Sequence, residues 1–150
     1  MKHNPKKSMP IEPIEPKNPK RLPLGSSPFG RGIFSGHSTL TVDNGTGNDA
    51  IVKVIRFMDR EQQVRNFYIH NGSKWTEKRV PPGQYVLRVA FGRDWNSKSR
   101  KFNFHRSFNE TEVFQLTETT SVRETVSITL HKVPLGNFKS HEIIEEDFDR

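Results

Sequence analysis

The sequence predicts an all-β protein: a single antiparallel β-sandwich of about seven to eight strands, between a disordered proline-rich arm and a short acidic tail. Three observations carry this. From Ser38 onward, short runs of Val, Ile, Phe, Tyr and Thr are broken by Gly, Pro, Asn and Asp. Several of those runs alternate apolar and polar residues with period two, and helix signals are few. The prolines and glycines gather before the runs and the acids after them, which divides the chain into 1–37 (arm or linker), 38–133 (β domain) and 134–150 (tail).

In the arm, Pro10, Pro13, Pro16 and Pro19 recur every third residue in PIEPIEPKNP. That period matches a polyproline II helix and sets the four prolines along one edge, with Ile11 and Ile14 on another. Such a segment serves as a semi-rigid spacer, or as a docking arm for an SH3-like groove with Lys17, Lys20 and Arg21 flanking it. Gly25, Ser26, Ser27, Pro28, Gly30, Gly32 and Gly36 then read as a flexible joint.

Strands are expected near 38–43, 50–58, 63–69, 74–80, 84–91, 101–108, 112–117 and 123–133. The run at 50–58 is apolar on nearly both faces, with Ile51, Ile55 and Phe57 against Val52 and Val54, and reads as central. KWTEKRV at 74–80 is crowded with charge and reads as an edge. In 84–91, Tyr85, Leu87, Val89 and Phe91 share one face, and Val86, Arg88 and Ala90 the other.

Between the first two strands lies VDNGTGNDA. From Asp43 it offers glycines where an EF-hand loop needs oxygen ligands, and its GxGxxA is followed by a strand where a dinucleotide site needs a helix. It reads as a hairpin turn. Pro81-Pro82-Gly83-Gln84 reads as a type II turn joining 74–80 and 84–91 in a hairpin.

RKFNFHRSF at 100–108 interleaves basic and aromatic residues, as a nucleic-acid-stacking strand does, without the small residues of an RNA-recognition motif. Alternation puts Phe102, Phe104 and Phe108 on one face with Arg106 among them, and Lys101, Asn103, His105 and Ser107 on the other. Together with Arg93, Lys98 and Arg100 these residues form a candidate basic face. Trp95, in the expected loop 92–98, either stacks on a ligand or caps the end of the sandwich. The tail HEIIEEDFDR holds Ile144 and Phe148 at helical spacing, and reads as a solvated end, a docking motif, or a segment lying on the domain's own basic patch.

Charge is spread rather than focused: 7 basic and 2 acidic residues in 1–37, 15 and 10 in 38–133, and 2 and 5 in 134–150. A net charge of +7 suits nucleic acid, anionic lipid or an acidic protein partner. With no cysteine, disulfides and thiolate metal sites are excluded, and the six histidines show no HxH or HxxxH pair. No GxSxG elbow or P-loop occurs, so no enzyme activity, cofactor or metal is expected. No run approaches the length of a membrane span, and a cytoplasmic setting is the expectation.

VPPGQYVLRVAFGRDW, with LTVDNGTGNDAIVKV before it and VSITLHKVPLGN after, resembles small bacterial β-sandwich domains of the carboxypeptidase-regulatory-like, PEGA or prealbumin-like type. The resemblance covers roughly 38–136 and rests on Pro82-Gly83-x-Tyr85-x-Leu87 and Gly92-x-x-Trp95. It implies a fold, and an accessory, non-catalytic module of the kind often found at the end of anchored, envelope-associated proteins; this chain carries no anchor segment.

The leading expectation is therefore a non-enzymatic protein-interaction or accessory structural module, with a protein partner or a second copy of itself. Its candidate contact residues are Arg93, Trp95, Lys98, Arg100, Lys101, His105 and Arg106. A nucleic-acid-binding module using the same face is the alternative, with Arg93, Arg100, Lys101 and Arg106 on phosphates; a carbohydrate module using Trp75 and Trp95 is the third.

Overall fold

A computed structural model of the chain describes residues 14–117, 124–130 and 140–150. Pro10, Ile11 and Pro13 of the proline repeat lie outside the described residues, as do position 123 and positions 131–133 of the last expected strand.

The chain is all-β. Its elements are β1 (Ser38–Asn44), β2 (Asp49–Arg56), β3 (Gln63–Ile69), β4 (Lys74–Val80), β5 (Gly83–Asn96), β6 (Lys101–Thr111), β7 (Phe114–Leu116), β8 (Thr125–Leu130), β9 (Ser140–Glu142) and one short helix, α1 (Glu145–Asp149). They form two open sheets, one ordered β4-β1-β8 and the other β3-β2-β5-β6-β9 with β7 on the start of β5. The apolar β2 is central and the charged β4 is an edge, as patterning requires.

Tyr85, Leu87, Val89 and Phe91 turn the inner face of β5 into one cluster with Val52, Val54 and Phe67 of the larger sheet and with Leu40, Val42, Val80 and Ile128 of the smaller one. This is the principal core. The outer face of the larger sheet carries a second cluster, built from Ile51, Tyr68, Ala90, Trp95, Phe102 and Phe148.

Four expectations are corrected. β1 and β8 run parallel, with Thr39–Asn44 against Thr125–Leu130, so the pairing is not wholly antiparallel. VDNGTGNDA is a turn but not a hairpin, because β1 and β2 belong to different sheets. Asn44 organises it, giving Nδ2 to Asn48 O (2.8 Å) and accepting from Thr46 Oγ1 (2.7 Å). The Pro81-Pro82 turn likewise carries the chain between sheets; Gly83 has φ 154°, far from the roughly +80° of a type II turn. The Tyr85 hydroxyl pins this crossing by donating to Pro81 O at 2.6 Å. Finally, β5 runs on through the expected loop to Asn96.

The stretch 14–37, expected to be a loose arm and joint, packs against the strands: Lys20 O accepts from Trp95 N of β5 (2.8 Å), and residues 25–33 lie along β3. Gly25 N donates to Tyr68 O (2.8 Å), Tyr68 N to Ser26 O (2.9 Å), and Ile33 N to Val64 O (3.0 Å). The Asn66 side chain holds the same stretch from both ends, accepting from Phe29 N and donating to Gly30 O. Glycine is needed for this approach: a Cβ on Gly32 would stand 1.9 Å from Val64 O. Gly25, Gly32 and Gly36, which suggested mobility, serve close contact.

Candidate functional site

The β5–β6 hairpin carries the candidate basic residues, and local chemistry shapes it. Asn96 Oδ1 accepts from the backbone of Lys98 (3.0 Å) and Ser99 (3.2 Å), closing an Asx turn. Asp94 and His105 adopt positive φ (63° and 56°), and the β5–β6 register shifts between Phe91 and Arg93. Such a bulge re-aims side chains. Phe102, Arg106 and Phe108 accordingly line one groove, whereas Phe104 lines a cleft beside Ile14 and Pro16 instead of sharing their face.

The basic face is thereby resolved into two pairs, each holding a glutamate from a terminal segment. Arg93 Nη1 (3.5 Å) and His105 Nε2 (2.7 Å) meet Glu15. Lys101 Nζ (2.8 Å) and Arg106 meet Glu145. The hydrogen bond from Lys101 and the nearby Arg106 charge hold the Glu145 carboxyl below the usual range, and Glu145 holds the Lys101 ammonium above its own. Arg100 lies over the Phe29 ring (5.5 Å), while Lys98 is exposed in the turn. Trp95 is 3% exposed, edge-on to Tyr68 and Phe102, with no ring face free for a ligand. Trp75 is partly buried against the principal core. Pro16 and Pro19, the described half of the proline repeat, flank clefts beside Asp94.

Beneath Glu145 lies a pocket that sequence patterning does not reveal. Phe148 of α1, 3% exposed, fits between Phe29 (ring centroids 6.2 Å apart) and Phe108 (5.7 Å). Lys53, on the outer face of β2, donates from Nζ to Phe148 O (2.8 Å) and stands 4.4 Å and 4.2 Å from the Phe29 and Phe148 ring centres. Burial pushes the Lys53 ammonium down to about 8, reinforced by Arg88 and Arg100 and opposed by Asp149. Arg88, also buried, bonds Glu110 Oε1 (3.1 Å) and Arg150 O (3.2 Å). The one sign of this pocket in the sequence is Lys53 itself, a cation flanked on both sides by apolar residues in IVKVI.

A second polar centre closes the other end of the outer face. Asp49 accepts from Arg21 Nε (3.0 Å), the Tyr68 hydroxyl (2.6 Å) and Asn71 N (2.8 Å). Burial raises its carboxyl, but these donors together outweigh burial and hold it below the usual range. With its oxygens so engaged, Asp49 anchors the 14–37 stretch rather than offering a ligand. Among the described residues no group of three or more His, Asp or Glu side chains is placed to hold a metal ion.

Compared with family models, curated proteins and solved structures, the chain gives no match. Any reading of its activity starts from this geometry.

Proposed function

We propose that this chain is a non-enzymatic protein-interaction module, a prealbumin-like open sandwich whose working surface is the outward side of β6. The single observation that carries the reading is the pair of glutamates, Glu15 and Glu145, drawn from opposite ends of the chain onto Arg93, Lys101, His105 and Arg106. A face that gathers carboxylates from its own chain is chemically fitted to gather them from another protein. The sandwich arrangement is supported by the mixing of both sheets in one apolar cluster. Burial of Trp95 weighs against stacking on a base or a sugar.

Fluorescence anisotropy tests this with a labelled acidic peptide and a labelled oligonucleotide, titrated with the full chain at low and near-physiological salt. The acidic peptide should bind, and Lys101→Glu with Arg106→Glu should weaken it by about tenfold. Tight oligonucleotide binding with a steep salt slope, lost in the same double variant, would overturn the reading in favour of nucleic acid.

A further inference from the structure

Resting on that reading, we infer that the groove between β6 and Phe29 is a docking site for a partner-protein segment in which an acidic residue precedes a phenylalanine by three positions, and that the chain's own tail is its resident competitor.

The tail displays the chemistry the groove accepts. β9 adds to the β6 edge, setting Ser140, His141 and Glu142 opposite Thr111, Glu110 and Asn109, and Ile143 N continues the pairing to Phe108 O (2.9 Å). Main-chain pairing of this kind is indifferent to sequence. Selectivity comes next along the chain: Glu145 reaches Lys101 and Arg106, and Phe148 enters the pocket. Lys53 and Arg88 donate to the carbonyls of Phe148 and Arg150, reading backbone rather than side chain. Charge matches around α1, where the segment carries Glu145, Glu146, Asp147 and Asp149 against one Arg and the groove offers Lys53, Arg100, Lys101 and Arg106, while Arg88 is shared with Glu110 of β6.

The resident segment is lightly held. All three β9 residues are exposed, Phe148 is the buried residue of α1, and Ile144 at the helix N-cap makes no side-chain capping bond. A terminal segment with so few buried contacts opens locally at small cost. The groove does not relax in the same way. Its walls are set in β2, β5 and β6 and in Phe29, which the Asn66 side chain of β3 holds through Phe29 N and Gly30 O, and an empty groove would leave the Lys53 ammonium and the Phe29 and Phe108 rings without their cover. An exchangeable occupant over a fixed, cationic, aromatic-walled groove is the arrangement of a site regulated by its own pseudo-ligand.

The test uses the full chain, wild type and Phe148→Ala, with a labelled peptide of sequence SHEIIEEDFDR as probe, near-ultraviolet circular dichroism confirming the fold. Because a tethered tail competes at high effective concentration, the Phe148→Ala chain should bind the probe at least about tenfold more tightly than wild type. Glu145→Lys, a change at the half-buried rim that sets the tail against Lys101 and Arg106, should give the same gain if Phe148→Ala fails to fold. A probe with its Phe replaced by Ala should lose at least about tenfold. Equal affinity of the wild-type and both tail variants overturns the inference. So does probe-independent self-association of the variants, which would make a second copy the occupant. If the Phe-lacking probe binds undiminished and still depends on Lys101, the inference falls while the acidic-partner reading stands; if the intact probe ignores Lys101→Glu and Arg106→Glu, that reading falls and the inference, whose acidic position those two residues read, falls with it.

Discussion

The two faces of the larger sheet are both apolar, yet they are covered by different means. The inner face meets β1, β4 and β8, so its core is closed by strands whose own pairing is part of the fold. Among the described residues the outer face meets no sheet. Leu22 and Phe29 of the stretch 14–37, and Ile143 and Phe148 of the tail, close it. It also holds the cations Lys53 and Arg88, while between the sheets the buried Arg65 of β3 meets Glu77 of β4 at 3.8 Å. A core sealed by strands must be broken to open, whereas one sealed in part by the 140–150 segment opens where that segment undocks. That difference puts the exchangeable surface on the outer face.

The largest expected effect breaks the inner side. Phe67, fully buried in the principal cluster, should cost about 3–5 kcal/mol on Phe67→Ala, read as a lowered urea midpoint of the whole domain. Phe148→Ala removes an equally buried ring but should cost the global transition only about 1–2 kcal/mol, because the tail can leave as a unit before the sheets separate. Hydrogen exchange should show the loss confined to 140–150 and the β6 edge it covers. A Phe148→Ala penalty as large and as global as that of Phe67→Ala would erase the distinction between the two cores.

Lys53 sharpens the comparison through pH. Its folded value of about 8 lies below the ordinary 10.5, so between these values the unfolded chain carries a proton that the folded chain has shed. Stability should therefore rise with pH across that window, and below about 8 the cost of burying the charged form is fully in force. With Lys53 buried, a fall from 10.5 to about 8 makes the step on the order of a few kcal/mol. Lys53→Met should abolish it. If the wild type and Lys53→Met keep parallel stability curves from pH 8 to 10.5, the ammonium is not confined by the outer core.

How much of this was legible in the sequence follows from the range of each interaction. Strand positions and the Tyr85, Leu87, Val89, Phe91 face are local properties, set by period-two alternation, and could be read directly. Turn residues announced that the chain reverses at Asn44–Asn48 and at Pro81–Pro82. They could not say that both reversals change sheets, because the sheet a strand joins is settled by distant partners such as Val80 with Ser38. Gly92, Arg93 and Asp94 looked like loop; Gly92 instead lets β6 approach, since a Cβ there would lie 2.4 Å from that of Phe102. The basic residues of the candidate site were visible as a list. Their sorting into pairs depended on Glu15 and Glu145, far away in sequence, and on a bulge at His105 that alternation cannot foresee. The tail's docking on the basic patch was one reading of its charge, and its Phe anchor showed only as spacing.

The smallest effect isolates the electrostatic part of the outer seal. Glu145 is bonded to Lys101 and Arg106 at the rim, with its carboxyl held below the usual range by those donors. It therefore stabilises the docked tail above the ordinary glutamate pKa, and the contribution disappears as pH falls through the lowered folded value. Surface pairs of this kind contribute little to stability and are screened by salt. Glu145→Gln should accordingly leave the urea midpoint of the domain unchanged while raising the exchange rate of amides in 140–150 by roughly two- to fivefold, the change shrinking as salt rises. The response should be absent in a Phe148→Ala background, where no docked tail remains for the charge to hold. An undiminished effect there would mean that Glu145 acts on β6 directly, and that the tail's charge and its aromatic anchor are not parts of one docked unit.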